Sequence, residues 1–252
     1  MDTKSALHNF CLRLADNNLI LAQRLAEWCS RGPILEEDLA LSNIALDLFG
    51  QAESLYEYAA SINEFEKSAD DLAFRRSERE YFNNILVEQP NGDFAFTMMK
   101  QFLFSTFTKI LYESLQASND EQLQALSAKA IKEINYHLRH SSEWIICFGN
   151  GTDESHRRTQ FAINELWRYT DDMFFMNEID EELISLGISF NLSELYGKWK
   201  FKVTELLHEA NLLLPDSTNI IVGGCNGIHS EHLGKLLCEM QYLQHAHPQA
   251  TW

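Results

Sequence analysis

The chain has 252 residues, with 37 Asp and Glu against 20 Lys and Arg and a formal net charge of −17. That length suits one large domain or two small ones with ample material for a core. The acidic balance argues against nucleic acid and anionic membrane surfaces as partners, and no apolar stretch approaches the roughly 20 residues a membrane span needs.

Apolar residues recur at helical spacing almost throughout. Leu12, Leu14, Leu19, Leu21, Leu25 and Trp28 predict a first helix over about 5–29. Gly32-Pro33 stops it, because glycine suits the position past a helix and proline cannot continue one. A second helix is expected at about 36–63, carrying Leu39, Ile44, Leu48, Leu55 and Tyr58 on its apolar side. The charged stretch from Glu64 to Asp71 breaks the pattern, and a shorter helix at about 74–88 ends in the turn signal Gln89-Pro90-Asn91-Gly92. Asp93 as N-cap opens a third long helix at about 93–117, and the Ser118-Asn119-Asp120 turn leads into a fourth at about 120–148, ended by Gly149-Asn150-Gly151. Three more helices follow at about 153–176, 192–211 and 228–246, with Asp153 and Ser230 as caps near two of the starts.

No strand-like alternation, internal repeat or low-complexity tract interrupts this pattern. The expected fold class is all-α: a four-helix bundle over about 5–148 with additional C-terminal helices over about 153–246, in one domain spanning 1–252. Phe94, Phe96, Phe102, Phe104 and Phe107 occupy more than one face of the third helix. A second subunit is the economical explanation for burying all of them. Cys11, Cys29, Cys147, Cys225 and Cys238 are odd in number and contain no C-x-x-C pair, which fits reduced thiols of a cytoplasmic protein. A signal peptide is not expected either, since no basic region leads into an apolar run.

In di-iron bundles a carboxylate comes from each of two helices and a Glu-x-x-His motif from each of the other two, all projecting inward. The i, i+3 spacing puts both ligands of a motif on one face. Glu133-Ile134-Asn135-Tyr136-His137 nearly spells that motif, with Tyr136 in the histidine slot. Asp47-Leu48-Phe49-Gly50 fails at the same place, with a glycine that has no side chain to offer. Counted from the turns near Gly32 and Asn119, Asp16 lies level with Asp47, and the third-helix partner of Glu133 is Ser105. Asp16, Asp47 and Glu133 remain, while the third-helix acid and both i+3 histidines are missing. His137 follows Glu133 by four and adds one imidazole. Three readings stay open. The residues form a buried polar network neutralised by His137, Arg13, Lys100 or Lys109; or Asp16 and Asp47 face solvent; or a self-contained iron-dependent oxygenase uses a depleted site of Asp16, Asp47, Glu133 and His137.

Other constellations are weaker. His229-Ser230-Glu231-His232 is an i, i+3 histidine pair at a helix start, with Glu239 two turns on, for which capping or a subunit contact is the plainer role. Gly223-Gly224-Cys225-Asn226-Gly227 precedes a helix as a phosphate cradle does, but lacks the Gly-Lys-Ser/Thr ending and a strand before it. Cys225 would need a positioned base to act as a nucleophile, and His229 is four residues on.

Several strings together carry a resemblance that none carries alone. They are Leu12-Arg13-Leu14-Ala15-Asp16-Asn17, Leu46-Asp47-Leu48-Phe49-Gly50-Gln51-Ala52 and Val87-Glu88-Gln89-Pro90-Asn91-Gly92-Asp93-Phe94-Ala95. Later come Ala130-Ile131-Lys132-Glu133, Tyr136-His137-Leu138-Arg139, Gly149-Asn150-Gly151-Thr152-Asp153, His229-Ser230-Glu231-His232-Leu233-Gly234 and Glu239-Met240-Gln241-Tyr242-Leu243-Gln244. From first helix to last, the chain resembles the structural C subunits of phenylacetyl-CoA epoxidases (phenylacetate-CoA oxygenases), in the ferritin-like superfamily. The resemblance implies a ferritin-like bundle without iron, in which Asp16, Asp47, Gly50, Ser105, Glu133, Tyr136 and His137 are vestigial metal-site positions in a metal-free polar core. It implies no catalytic or cofactor-binding residue in this chain. It also implies a hetero-oligomer in which an iron-bearing catalytic subunit holds the CoA thioester, with a small accessory subunit as a further neighbour. Such a complex uses O2 and NADPH to epoxidise the ring of phenylacetyl-CoA in aerobic phenylacetate catabolism.

Overall fold

A computed structural model describes residues 3–62, 67–216, 219–248 and 250. Its helices are α1 (Thr3–Ala26), α2 (Leu35–Ile62), α3 (Ala69–Phe74), α4 (Ile85–Glu88), α5 (Phe94–Leu115), α6 (Glu121–Gly149), α7 (Asp153–Leu166), α8 (Glu178–Ser185), α9 (Leu192–Glu209), α10 (Glu231–Met240) and α11 (Tyr242–Ala246). Short 3-10 turns occupy Glu78–Glu80, Trp167–Phe174 and Gly224–Asn226. No strand occurs among the described residues, so the fold class is all-α, with the helical content of a ferritin-like chain.

The chain divides into two compact units. The first takes the described residues of Met1–Pro90, Asn177–Leu183 and Gly223–Trp252. At its centre, α1 and α2 run antiparallel, with His8 Nδ1 2.9 Å from the carbonyl of Ala59 and Asp16 bonded to Tyr56. Every residue of α1 from Phe10 to Ala22 is buried. A helix covered on all sides can carry polar groups only if each finds a partner, and α1 carries Arg13, Asp16, Asn17, Asn18 and Arg24.

The second unit takes Asn91–Met176 and Ile184–Val222. Asp93 caps α5 as expected, its carboxylate accepting the Phe96 N–H at 2.9 Å. Helix α5 is buried continuously from Thr97 to Thr108, and α6, α7 and α9 pack on it. Trp199 on α9 is wholly buried, and its indole N–H donates to the Leu103 carbonyl at 3.0 Å. Phe107 meets Phe174 edge-on at 5.2 Å, and Phe94 meets Trp144 at 5.2 Å. This corrects one expectation: helices of the same unit cover the several apolar faces of α5, so its aromatics do not call for a second subunit.

Other boundaries also differ. The helix expected over 74–88 does not form: α3 ends at Phe74, and only a 3-10 turn at Glu78–Glu80 and the four residues of α4 are helical beyond it. Ser68 with Asp71, and Ser77 with Glu80, form reciprocal capping boxes that compete with a continuous helix. The charged stretch before it lies partly outside the described residues, which omit 63–66. From Trp167 onward the expected 153–176 helix tightens into 3-10 turns, and the 228–246 helix starts late and divides at Gln241. Thr152, not Asp153, caps α7 through a box with Ser155, while Ser230 caps α10 as expected. Helix α8 was not expected at all.

Two glycines make opposite predictions. Gly149 ends α6 where an added Cβ would lie 2.1 Å from the Ala210 carbonyl oxygen, whereas Gly50, within α2, has nothing within 4 Å of that position. Gly50→Ala should therefore stabilise the chain by about 0.5–1 kcal/mol through helix propensity. Gly149→Ala should destabilise it by about 1–3 kcal/mol through overpacking. Denaturant unfolding followed by circular dichroism measures both, and a Gly149→Ala protein as stable as the parent would contradict the close approach at Ala210.

Candidate functional site

Asp16 faces the interior of the first unit and is fully buried. Its Oδ1 accepts the Tyr56 hydroxyl at 2.5 Å. Its Oδ2 accepts the Phe82 N–H at 2.8 Å and Arg76 Nη1 at 3.1 Å, and Arg76 Nη2 closes a bidentate pair on Oδ1. The other guanidinium hydrogens go to the Leu72 carbonyl at 2.5 Å, the Glu80 carbonyl at 2.6 Å and the Tyr56 hydroxyl oxygen at 3.3 Å. The Arg76 cation sits 4.2 Å from the centroid of the Tyr81 ring. Tyr81 donates to the Ala73 carbonyl at 2.5 Å and accepts Gln241 Nε2 at 2.9 Å, and the same amide donates to the Arg76 carbonyl.

The charges in this cluster reinforce one another. Burial pushes the Tyr56 phenol well above its ordinary range and the Asp16 charge adds to that, so Tyr56 stays a neutral donor. Burial works against the Arg76 cation, but the Asp16 carboxylate outweighs burial and raises its pKa further. A metal ligand must offer a free lone pair, whereas here a guanidinium, a phenol and a backbone amide already converge on both oxygens.

On α2 the residue that reaches Asp16 is Tyr56, not Asp47, which is half-buried. Gly50 is exposed. In the second unit Ser105 is buried in α5, its hydroxyl accepting Gln101 Nε2 at 2.9 Å. Glu133 is half-buried on α6, His137 is buried, and Tyr136 lies at the surface with the Arg139 cation 5.7 Å from its ring centroid. Among the described residues, no three His, Cys, Asp or Glu side chains come together in a way that could hold a metal ion. The di-iron centre that a ferritin-like fold suggests does not fit Asp16 as it stands.

The cations considered from sequence as partners for the acids make contacts of their own. Arg13 holds Asp180 of α8 through two bonds of 3.0 and 2.5 Å, Lys109 holds Glu113 at 2.5 Å, and Lys100 donates to Asn91 Oδ1 at 3.2 Å. Sequence reading missed Arg76 and Asp180 because each sits in a segment whose local pattern is charged. The available signal was a pairing constraint: acids and bases on an all-round apolar helix need partners from somewhere.

A second buried cluster centres on Glu88, and sequence reading gave it no role. Its Oε2 contacts His229 Nδ1 at 2.9 Å and Asn83 Nδ2 at 2.9 Å, and its Oε1 accepts the Ser230 N–H at 2.6 Å. His229 Nε2 faces the Tyr81 carbonyl oxygen at 2.9 Å. A carbonyl only accepts, so Nε2 carries a proton; with the carboxylate at Nδ1, the ring is held as the imidazolium. Burial alone would lower the His229 pKa, but the hydrogen bond and charge of Glu88 outweigh it and raise the value above 6.5. Arg24 ties the same segment to α1, donating twice to the Glu88 carbonyl at 3.0 and 2.8 Å. The His229/His232 pair is thus a helix-start anchor: His229 points at Glu88, and the His232 N–H bonds the Ser230 hydroxyl.

The glycine-rich loop also has a structural explanation. Its Asn226, Gly227 and Ile228 N–H groups bond back to Gly223 and Gly224 carbonyls within the turn. Gly227 adopts φ +71° with an added Cβ only 2.2 Å from the Arg79 carbonyl. Those amides are spent internally and do not form a phosphate cradle. Cys225 is buried with Asn177 Nδ2 3.8 Å from its Sγ, while His229 is turned to Glu88 and Tyr81.

Residues 1–252 match the family described as phenylacetic acid catabolic protein. The sequence is 48% identical over 243 residues to the C subunit of 1,2-phenylacetyl-CoA epoxidase from Escherichia coli strain K12, covering 96% of this chain and 98% of the relative. This chain belongs to the phenylacetic acid catabolic protein family. In this family member, the strings that carried the resemblance hold the buried clusters: Leu12–Asn17 contains Asp16, Val87–Ala95 contains Glu88, and His229–Gly234 contains His229.

Both clusters can be tested through stability. Arg76→Met leaves the Asp16 charge buried without its counter-ion and should cost about 3–5 kcal/mol. Adding Asp16→Asn should recover part of that loss, which a double-mutant cycle of unfolding free energies measures. For His229, the folded pKa lies above the unfolded one, so its stabilisation is complete below pH 6.5 and is lost as pH rises through the folded value. The stability difference between parent and His229→Gln should therefore be greatest below pH 6.5 and shrink at higher pH. A difference that grows with pH would contradict the imidazolium assignment.

Proposed function

We propose that this chain is a non-catalytic structural subunit of a phenylacetyl-CoA epoxidase, pairing with and supporting an iron-bearing catalytic subunit in the cytoplasm. The family match and the identity to the C subunit of such an epoxidase, across nearly the whole of both chains, support the assignment to such a complex. The observation that carries the non-catalytic reading is the saturated carboxylate of Asp16. It is the most deeply buried acid of the candidate set, and Arg76 sits where a metal would have to bind. Gly50 and Ser105 add no carboxylate or imidazole. On this reading Asp16, Asp47, Gly50, Ser105, Glu133, Tyr136 and His137 form metal-free positions. The di-iron centre, and the use of O2 and NADPH, belong to partner subunits.

The chain's own contribution is then mechanical. Its buried ion pairs fix α1 against its neighbours, and its surfaces hold the catalytic subunit's helices in place. A small accessory subunit is a further neighbour, and neither nucleic acid nor membrane is a partner. Among the described residues, no helix is long and apolar enough to cross a membrane.

The chain expressed alone in iron-supplemented medium should carry substoichiometric iron and no epoxidase activity. Reconstituted with the catalytic subunit and reductase, a Glu133→Gln variant should turn over phenylacetyl-CoA at close to the parental rate, with unchanged iron per complex. Stoichiometric iron in the isolated chain, lost in Glu133→Gln, would instead establish an independent iron enzyme.

A further inference from the structure

Helix α2 carries a row of leucines at the surface. Leu35, Leu39 and Leu46 are 72%, 55% and 66% exposed, and Ile34 just before the helix is 52% exposed. At 100° per residue the three leucines fall on one face, and Gly50 continues that face a turn later with open space where a side chain would stand. Glu53 and Glu57, both exposed, extend the same face one and two turns further. Across its length α2 contains Glu36, Glu37, Asp38, Asp47, Glu53 and Glu57 and not one Lys or Arg.

Single exposed leucines are ordinary and need no explanation. Three on one helical face, with a glycine that lets another backbone come close, have the layout of a helix-pairing seam. The face is therefore divided along its length, apolar toward the N-terminus and acidic toward the C-terminus.

Resting on the reading of this chain as a structural subunit, we propose that this face docks one helix of the iron-bearing partner subunit. That helix presents an apolar ridge to Leu35, Leu39 and Leu46, crosses closest at Gly50, and places Lys or Arg opposite Glu53 and Glu57. Charge selects this occupant over a second copy of the same chain. A copy of α2 has no base to offer, and full overlap of two such helices would set acids against acids or acids against leucines.

Co-expression with the affinity-tagged catalytic subunit from the same organism tests the proposal. Leu39→Glu/Leu46→Glu should reduce co-purification at least tenfold. Glu53→Lys/Glu57→Lys should weaken it and reverse its sensitivity to salt. Phe201→Glu, on the exposed side of α9 (63% exposed), should leave it unchanged. Circular dichroism melting of each isolated variant verifies the fold, and the charge-reversal pair provides a second readout at surface positions. Retention of both α2 variants at parental levels would overturn the docking face while leaving the structural-subunit reading intact, as would loss in Phe201→Glu alone. A parental chain that fails to co-purify would remove both. Light scattering of the chain alone closes the remaining route: a dimer abolished by Leu39→Glu/Leu46→Glu would show that a second copy occupies the face.

Discussion

The constraint on which the first unit depends is that α1 is buried on every side yet carries charge. Water cannot solvate Arg13, Asp16 or Arg24, so the protein must supply their partners. It draws them from far along the chain: Asp180 is 167 residues from Arg13, Arg76 is 60 from Asp16, and the Glu88 carbonyl is 64 from Arg24. Each pair recruits a segment distant in sequence from α1. The broken stretch between α3 and α4, helix α8 and the start of α10 are thereby gathered around one central helix.

The same constraint bears on function. An inward carboxylate at mid-helix can bind a metal only while one of its oxygens keeps a free lone pair. At Asp16 the guanidinium of Arg76 takes the bidentate position, reinforced by Tyr56 and the Phe82 amide. This arrangement is fixed at both ends: Arg76 is itself held by two carbonyls and lies against the Tyr81 ring. Neutralising a charge this way leaves no open coordination position on Asp16. The Glu88–His229 pair does the same at the start of α10 with a titratable base, so that part of the core is sensitive to pH.

Much of this was legible before any coordinates. The four long helices, the Asp93 and Ser230 caps and the turn at Gly149 follow from local chemistry: apolar spacing, side-chain oxygens before a helix, and glycine at its end. The broken ligand motifs at Gly50 and Tyr136 were legible as well, since a missing side chain is a property of one position. The segment 74–88 was misread because its apolar residues suit a helix, whereas the capping boxes at Ser68 and Ser77 and the pull of Asp16 on Arg76 and Phe82 decide otherwise. The aromatics of α5 suggested an outside partner only because periodicity does not reveal that Trp199 and Phe174 return to cover them.

The sequence by itself therefore determined the four long helices, the caps at Asp93 and Ser230 and the absence of ligands from particular slots, all of which depend on residues within a turn or two of one another. Only the tertiary structure decided which base meets which buried acid: Arg76 rather than Arg13 or Lys100 for Asp16, and His229 for Glu88. The physical reason is that a buried charge fixes that a partner must exist without fixing where in the chain it lies. That location depends on how distant segments pack, and composition and spacing do not carry it.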